Sequence, residues 1–218
     1  MKKFSTPRRY GPGVLIAAGA LTLGLGVTAA GVTMASYNDF VNLNLGAAGI
    51  GYQGRFDIGV VLPSGRVEQA DNASGYDWVV PEAETLVPGR SVTTIIPVFN
   101  NTESLGADTT FQVVLRNTDG SVSPSIPNIT SHLRFTAAVD GDVVFENVPW
   151  TAARGQVGVL SARQQAPLAE GDNYVAARPE SARDLTLTIT YVDGPGTEAL
   201  NGGQSALAVK FNAASVKP

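Results

Sequence analysis

The chain has 218 residues, with 15 Lys plus Arg against 19 Asp plus Glu, one His and no Cys. The missing cysteine excludes a disulfide framework, a thiolate metal site, a catalytic cysteine and a lipid-modified cysteine. An apolar content of 44% with a net charge of only −4 excludes disorder throughout, and the length suits one domain with a real core, or at most two small ones.

The charge is unevenly placed. Lys2, Lys3, Arg8 and Arg9 are the charged residues before residue 36, which leaves 11 basic against 19 acidic residues beyond it, a net of −8. Such a surface repels phosphate and no basic run offsets it, so nucleic acid is not an expected partner. The basic stretch Met1 to Gly13 leads into Val14 to Ala35, an uncharged apolar run of 22 residues ending in Thr33-Met34-Ala35. Small residues at the minus-three and minus-one positions suit a signal peptidase, so residues 1–35 read as an export signal cut between Ala35 and Ser36. The membrane is then met only during export. An uncleaved anchor is the rival reading, because about 20 apolar residues span a bilayer. The Arg8-Arg9 pair lacks the rest of a twin-arginine motif and fits a generic positive leader.

Residues 36–51 read as an N-terminal strand and a flexible connector. Tyr37, Phe40, Val41, Leu43 and Leu45 supply its apolar side chains. Val41, Leu43 and Leu45 alternate with Asn42 and Asn44, and Gly46-Ala47-Ala48-Gly49-Ile50-Gly51 follows as a loose linker. Folded onto its own domain this segment is an ordinary edge strand. Inserted into an open groove of the next subunit it is a donor strand, and that head-to-tail contact does not close, so it propagates into a filament.

Residues 52–218 read as a β-sandwich domain. Period-two alternation places Phe56, Ile58, Val60 and Leu62 on one face, then Phe111, Val113 and Leu115, and then Leu133, Phe135, Ala137 and Val139. The same alternation returns at Leu185, Leu187, Ile189 and Tyr191, with threonines between them, and at Leu207, Val209 and Phe211. This is the mark of half-buried antiparallel strands. Asp140-Gly141, between two such runs, predicts a type I′ hairpin. A short helix is expected around Ser161 to Glu170, interrupted by Pro167. Eight to ten strands separated by Gly and Pro indicate an all-β, two-sheet antiparallel sandwich, jelly-roll-like. The polar ending Ala213 to Pro218 offers no hydrophobic anchor, so retention at the cell would need association with itself or a partner.

Catalytic chemistry finds little support. His132 is the single histidine, so no two-histidine metal helix can be assembled, and a Ser-His-Asp triad would have to use His132 without a local signature. Asp140-Gly141-Asp142 and Asp172-Asn173 could offer oxygens to calcium, but they lack the loop spacing of a calcium site and read as turns. No enzyme activity and no cofactor is expected.

Leu86-Val87-Pro88-Gly89-Arg90-Ser91-Val92, then Ile95 to Val98 and Asn100-Asn101-Thr102-Glu103-Ser104, resembles a stretch of the TasA and camelysin family of exported bacterial biofilm matrix fibre proteins. Ala35-Ser36-Tyr37-Asn38-Asp39-Phe40 resembles the family's processing region. Gly54-Arg55-Phe56-Asp57-Ile58 resembles its first core strand, and Asn201-Gly202-Gly203-Gln204 before Leu207 to Phe211 resembles its closing strand. The resemblance implies a jelly roll and a structural role in extracellular fibres that grow by a donated N-terminal strand. The partner is then the chain itself, head to tail, with other matrix components possible. The metalloprotease label of some members is not carried over, because no His-Glu-x-x-His is present. The alternative is a monomeric secreted adhesin or carbohydrate-binding sandwich, with Tyr76, Trp78 and Trp150 as a sugar-stacking platform.

Overall fold

The computed structural model describes residues 54–217. The expected signal peptide, its expected cut between Ala35 and Ser36, and the candidate donor-strand residues Tyr37, Phe40, Val41, Leu43 and Leu45 lie outside them. The described residues form nine strands: β1 (Ile58–Val61), β2 (Val67–Glu68), β3 (Ser91–Asn100), β4 (Gly106–Leu115), β5 (Leu133–Val139), β6 (Asp142–Val148), β7 (Arg154–Leu160), β8 (Ala182–Tyr191) and β9 (Leu207–Val216). They pair antiparallel in two sheets, ordered β2-β1-β3-β8-β5-β6 and β7-β4-β9. This is the expected two-sheet sandwich, jelly-roll-like in that connections cross between sheets. The neighbours β3 and β8 of one sheet continue into the neighbours β4 and β9 of the other.

Alternation explains the layers. Leu133, Phe135, Ala137 and Val139 of β5 are all buried, as are Leu185, Leu187 and Tyr191 of β8 and Phe111 and Val113 of β4. Each large apolar side chain removed from water contributes about 1.5–3 kcal/mol. The intervening threonines of β8 face outward, where hydroxyl pairs tie β3 to β8: Ser91 to Thr190 at 2.8 Å and Thr93 to Thr188 at 2.9 Å. The hairpin joining β5 and β6 has positive φ at both Asp140 (50°) and Gly141 (91°), as a type I′ turn demands.

The expected helix at Ser161 to Glu170 does not form. That segment is irregular because its backbone is bound elsewhere, and Pro167 adds no N–H donor. Arg163 N–H donates to Thr102 O and Gln164 N–H to Glu103 O, while Leu168 N–H donates to the Asn101 side chain. The loop that follows covers the outer face of β1 and β3: the Tyr174 ring lies 5.0 Å from that of buried Phe99, centroid to centroid. β1 approaches so closely there that a Cβ on Gly59 would stand 2.8 Å from the Phe99 ring.

One end of the sandwich is closed by a polar corner between β3 and β4. Asn100, Asn101 and Thr102 are fully buried. The Asn100 amide reaches the carbonyls of Leu105, Leu160 and Ser161. Asn101 donates to the buried Asp57 carboxylate and to Leu168 O, and it accepts from Leu168 N–H. Thr102 Oγ1 exchanges bonds with the Asp57 backbone. These side chains act as a local backbone, holding β1, the β3–β4 corner, the end of β7 and the 161–169 segment together.

Candidate functional site: the open side of the sandwich

The sheets are unequal, and the shortfall lies on one flank. β7 touches β6 and β8, so the order β7-β4-β9 runs from the β6 flank toward that of β3 and β1. There the core is thinly covered. On the shared rungs, Phe111 of β4 is 1% exposed and Val113 is 4% exposed, whereas their partners Phe211 and Val209 on β9 are only half-buried, as is Leu207 opposite Leu115. Phe56, Ile58 and Val60 of the β1 segment pack on the same core and are also half-buried. Among the described residues no further strand follows β9 in its sheet. In the facing sheet β1 pairs only Val98 to Asn100 of β3. The preceding stretch of β3 has no strand neighbour on that side among the described residues, and Pro97, which has no N–H to offer, suits an edge.

A segment outside any strand spans this gap. Residues 76–80 run between the sheets, with the Trp78 indole packed on the core and its Nε1–H donating to Thr94 Oγ1 at 2.9 Å. Thr94 is an inward, buried residue of β3. The preceding Asp77 pairs with Arg116 at 3.1 Å, and Arg116 N–H donates to Ala206 O at the start of β9. Tyr76 and Val79 on either side are exposed. Both members of the ion pair are exposed, so it contributes at most about 1 kcal/mol.

The other residues singled out in the sequence are placed apart. His132 ends a single 3₁₀ turn before β5, edge-on to the Tyr191 ring at 6.4 Å between centroids. The Asp140 carboxylate accepts from Asp184 N–H in its turn, and the Asp172 carboxylate accepts from Ala169 N–H. Among the described residues no group of three or more His, Cys, Asp or Glu is placed to hold a metal ion. Trp78 lies against β3 whereas Trp150 sits in the turn between β6 and β7, both half-buried on the core, so the two indoles and Tyr76 do not form one platform.

Arg163 was not legible as special in the sequence. Its side chain is among the largest fully buried ones, with Nε–H donating to Ala166 O and Nη2–H to Val175 O. Burial pushes its guanidinium below the ordinary value, with the Tyr174 hydroxyl acting in the opposite sense. It fastens the loop over Phe99 and plays no part in the open side. Neither a protein-family model nor a curated protein matches the chain.

Proposed function

We propose that this chain is an exported structural protein that polymerises head to tail into extracellular fibres of a bacterial biofilm matrix or cell surface. The strand Ser36 to Leu45 of one copy lies along β9 of the next. The observation that carries this reading is the rung contrast on the open side, where Phe111 and Val113 of β4 are buried and their β9 partners Phe211 and Val209 are only half-buried. An added strand carrying Val41, Leu43 and Leu45 on one face would cover Leu207, Val209 and Phe211 and supply main-chain hydrogen bonds along an edge. The lengths agree: Val41 to Leu45 and Leu207 to Phe211 are each five residues long, about 17 Å at ~3.3 Å per residue. β1, the first of the described strands, lies on this same flank. The resemblance to TasA and camelysin agrees with secretion, a fibre and self-association, and the reading assigns the chain no catalytic step and no cofactor.

The experiment is negative-stain microscopy of the protein beginning at Ser36, beside a variant lacking residues 36–45. Filaments from the first and none from the second are expected. Filaments that persist without residues 36–45 would remove the donor strand from the account, and a protein that stays monomeric from Ser36 onward would remove the fibre.

A further inference from the structure

The strap across the open side carries a sequence of its own that is repeated elsewhere in the chain. Asp77-Trp78-Val79 has the order acid, aromatic, valine, and so has Asp39-Phe40-Val41 in the segment before β1. The first of these is held by two side-chain contacts: the Trp78 indole on the core with its N–H on Thr94, and the Asp77 carboxylate on Arg116. No main-chain bond to a strand holds residues 76–79 among the described residues. At each end the strap is bounded by a turn, Asn72 to Gly75 with Gly75 at φ 67° and Glu82 to Thr85 with Glu82 at φ 61°.

We propose that Asp77-Trp78-Val79 is a resident stand-in for Asp39-Phe40-Val41 of a second copy, and that assembly exchanges one for the other. This inference rests on the donor-strand reading. The incoming Phe40 takes the place of the Trp78 ring against Thr94 and the core, Asp39 takes the place of Asp77 at Arg116, and the strand that pairs β9 begins beyond Phe40, where the alternation restarts with Val41, Leu43 and Leu45 facing the core. The chemistry gives the exchange a direction. The strap has no rungs to break, whereas the arriving strand adds a ladder along β9, so the exchange gains main-chain bonds and loses one indole N–H bond. In the free subunit the same contacts keep the half-covered core out of water, which makes the strap both a cover and a competitor.

The test uses the protein beginning at Ser36 and reads the elongation rate of preformed filament seeds. Asp77→Asn loosens only the strap and should speed elongation by up to roughly fivefold, while Asp39→Asn loosens only the arriving strand and should slow it by a similar factor. Both effects should vanish in an Arg116→Gln background, since the two acids compete for one guanidinium. Trp78→Phe, which makes the strap Asp-Phe-Val and removes the bond to Thr94, should speed elongation about two- to tenfold. In a Trp150→Phe background, Trp78 emission should move to the red as filaments grow. An Asp39→Asn effect that is absent, or that persists with Gln at 116, overturns the exchange, as does Trp78 emission unchanged on assembly. Wild-type protein that forms no filaments at all overturns the donor-strand reading and this inference with it. Circular dichroism of each variant confirms that the subunit is folded before its rate is read.

Discussion

The two ends of β3 are held in opposite ways. At Asn100 the strand runs into a corner where three fully buried polar residues satisfy backbone groups from four segments. Around Thr94 it meets one indole N–H and, beyond that, an ion pair standing in water. Buried amides that replace a backbone cannot be removed without orphaning their partners, so the corner sets stability. An indole and an exposed pair can be exchanged for other groups at little cost, so the open side suits recognition. The same strand thus serves a permanent contact and a replaceable one.

The largest effect is expected at the corner. Asn101→Ala removes bonds to the Asp57 carboxylate, Leu168 O and Leu168 N–H, all in places water reaches poorly. It should cost about 3 kcal/mol, read as a lower urea midpoint at unchanged slope. On the open side the loss should fall on assembly instead. Val41→Asp with Leu43→Asp should abolish filaments, while circular dichroism shows a folded subunit that is somewhat less stable. If the strand were built into its own sandwich, two buried carboxylates should unfold it. Folded protein with normal filaments would remove those residues from the contact.

A smaller effect, of opposite sign, is expected at Tyr191, whose buried hydroxyl has no hydrogen-bond partner among the described residues and whose ionisation is pushed up by burial. Tyr191→Phe should leave the fold intact and raise stability by about 1 kcal/mol, measured by thermal melting. The smallest effect concerns pH. Hydrogen bonds from the Ser121 side chain and backbone hold the exposed Asp119 carboxyl below its ordinary value. Its contribution is therefore present above the unfolded-state carboxylate range and is lost as pH falls through the lower, folded-state value. The melting difference between wild type and Asp119→Asn should shrink toward zero in acid, and a difference that grows there would contradict the sign.

The strands with unbroken alternation were readable in the sequence because each buries a complete face. Leu133 to Val139 and Leu185 to Tyr191 are the clearest, and Asp140-Gly141 is legible because only residues tolerant of positive φ make that turn. β7 gave no such signal, since glycines at 155 and 158 interrupt the apolar positions of Arg154–Leu160. The segment 161–170 looked helical by composition, but its backbone groups are taken up by Thr102, Glu103 and Asn101, partners about 60 positions away that no local pattern reveals. The open side was legible in half. The donor candidate Val41 to Leu45 shows its period, whereas the acceptor depends on which strand stands last in a sheet, a matter of long-range pairing. Trp78 read as part of a sugar-stacking platform, and only its bond to Thr94 places it across the gap.

The crossings from β3 to β4 and from β8 to β9 also bear on the order in which the chain can fold. Ser91 meets Thr190 across 99 positions, and Thr110 meets Asn212 across 102. Contacts this distant in sequence close slowly, in milliseconds to seconds for sheet-dominated domains. A chain made from its N-terminus forward presents Val41 to Leu45 long before its own β9 exists. The sheet β7-β4-β9 is therefore completed only when the last of the described strands has arrived.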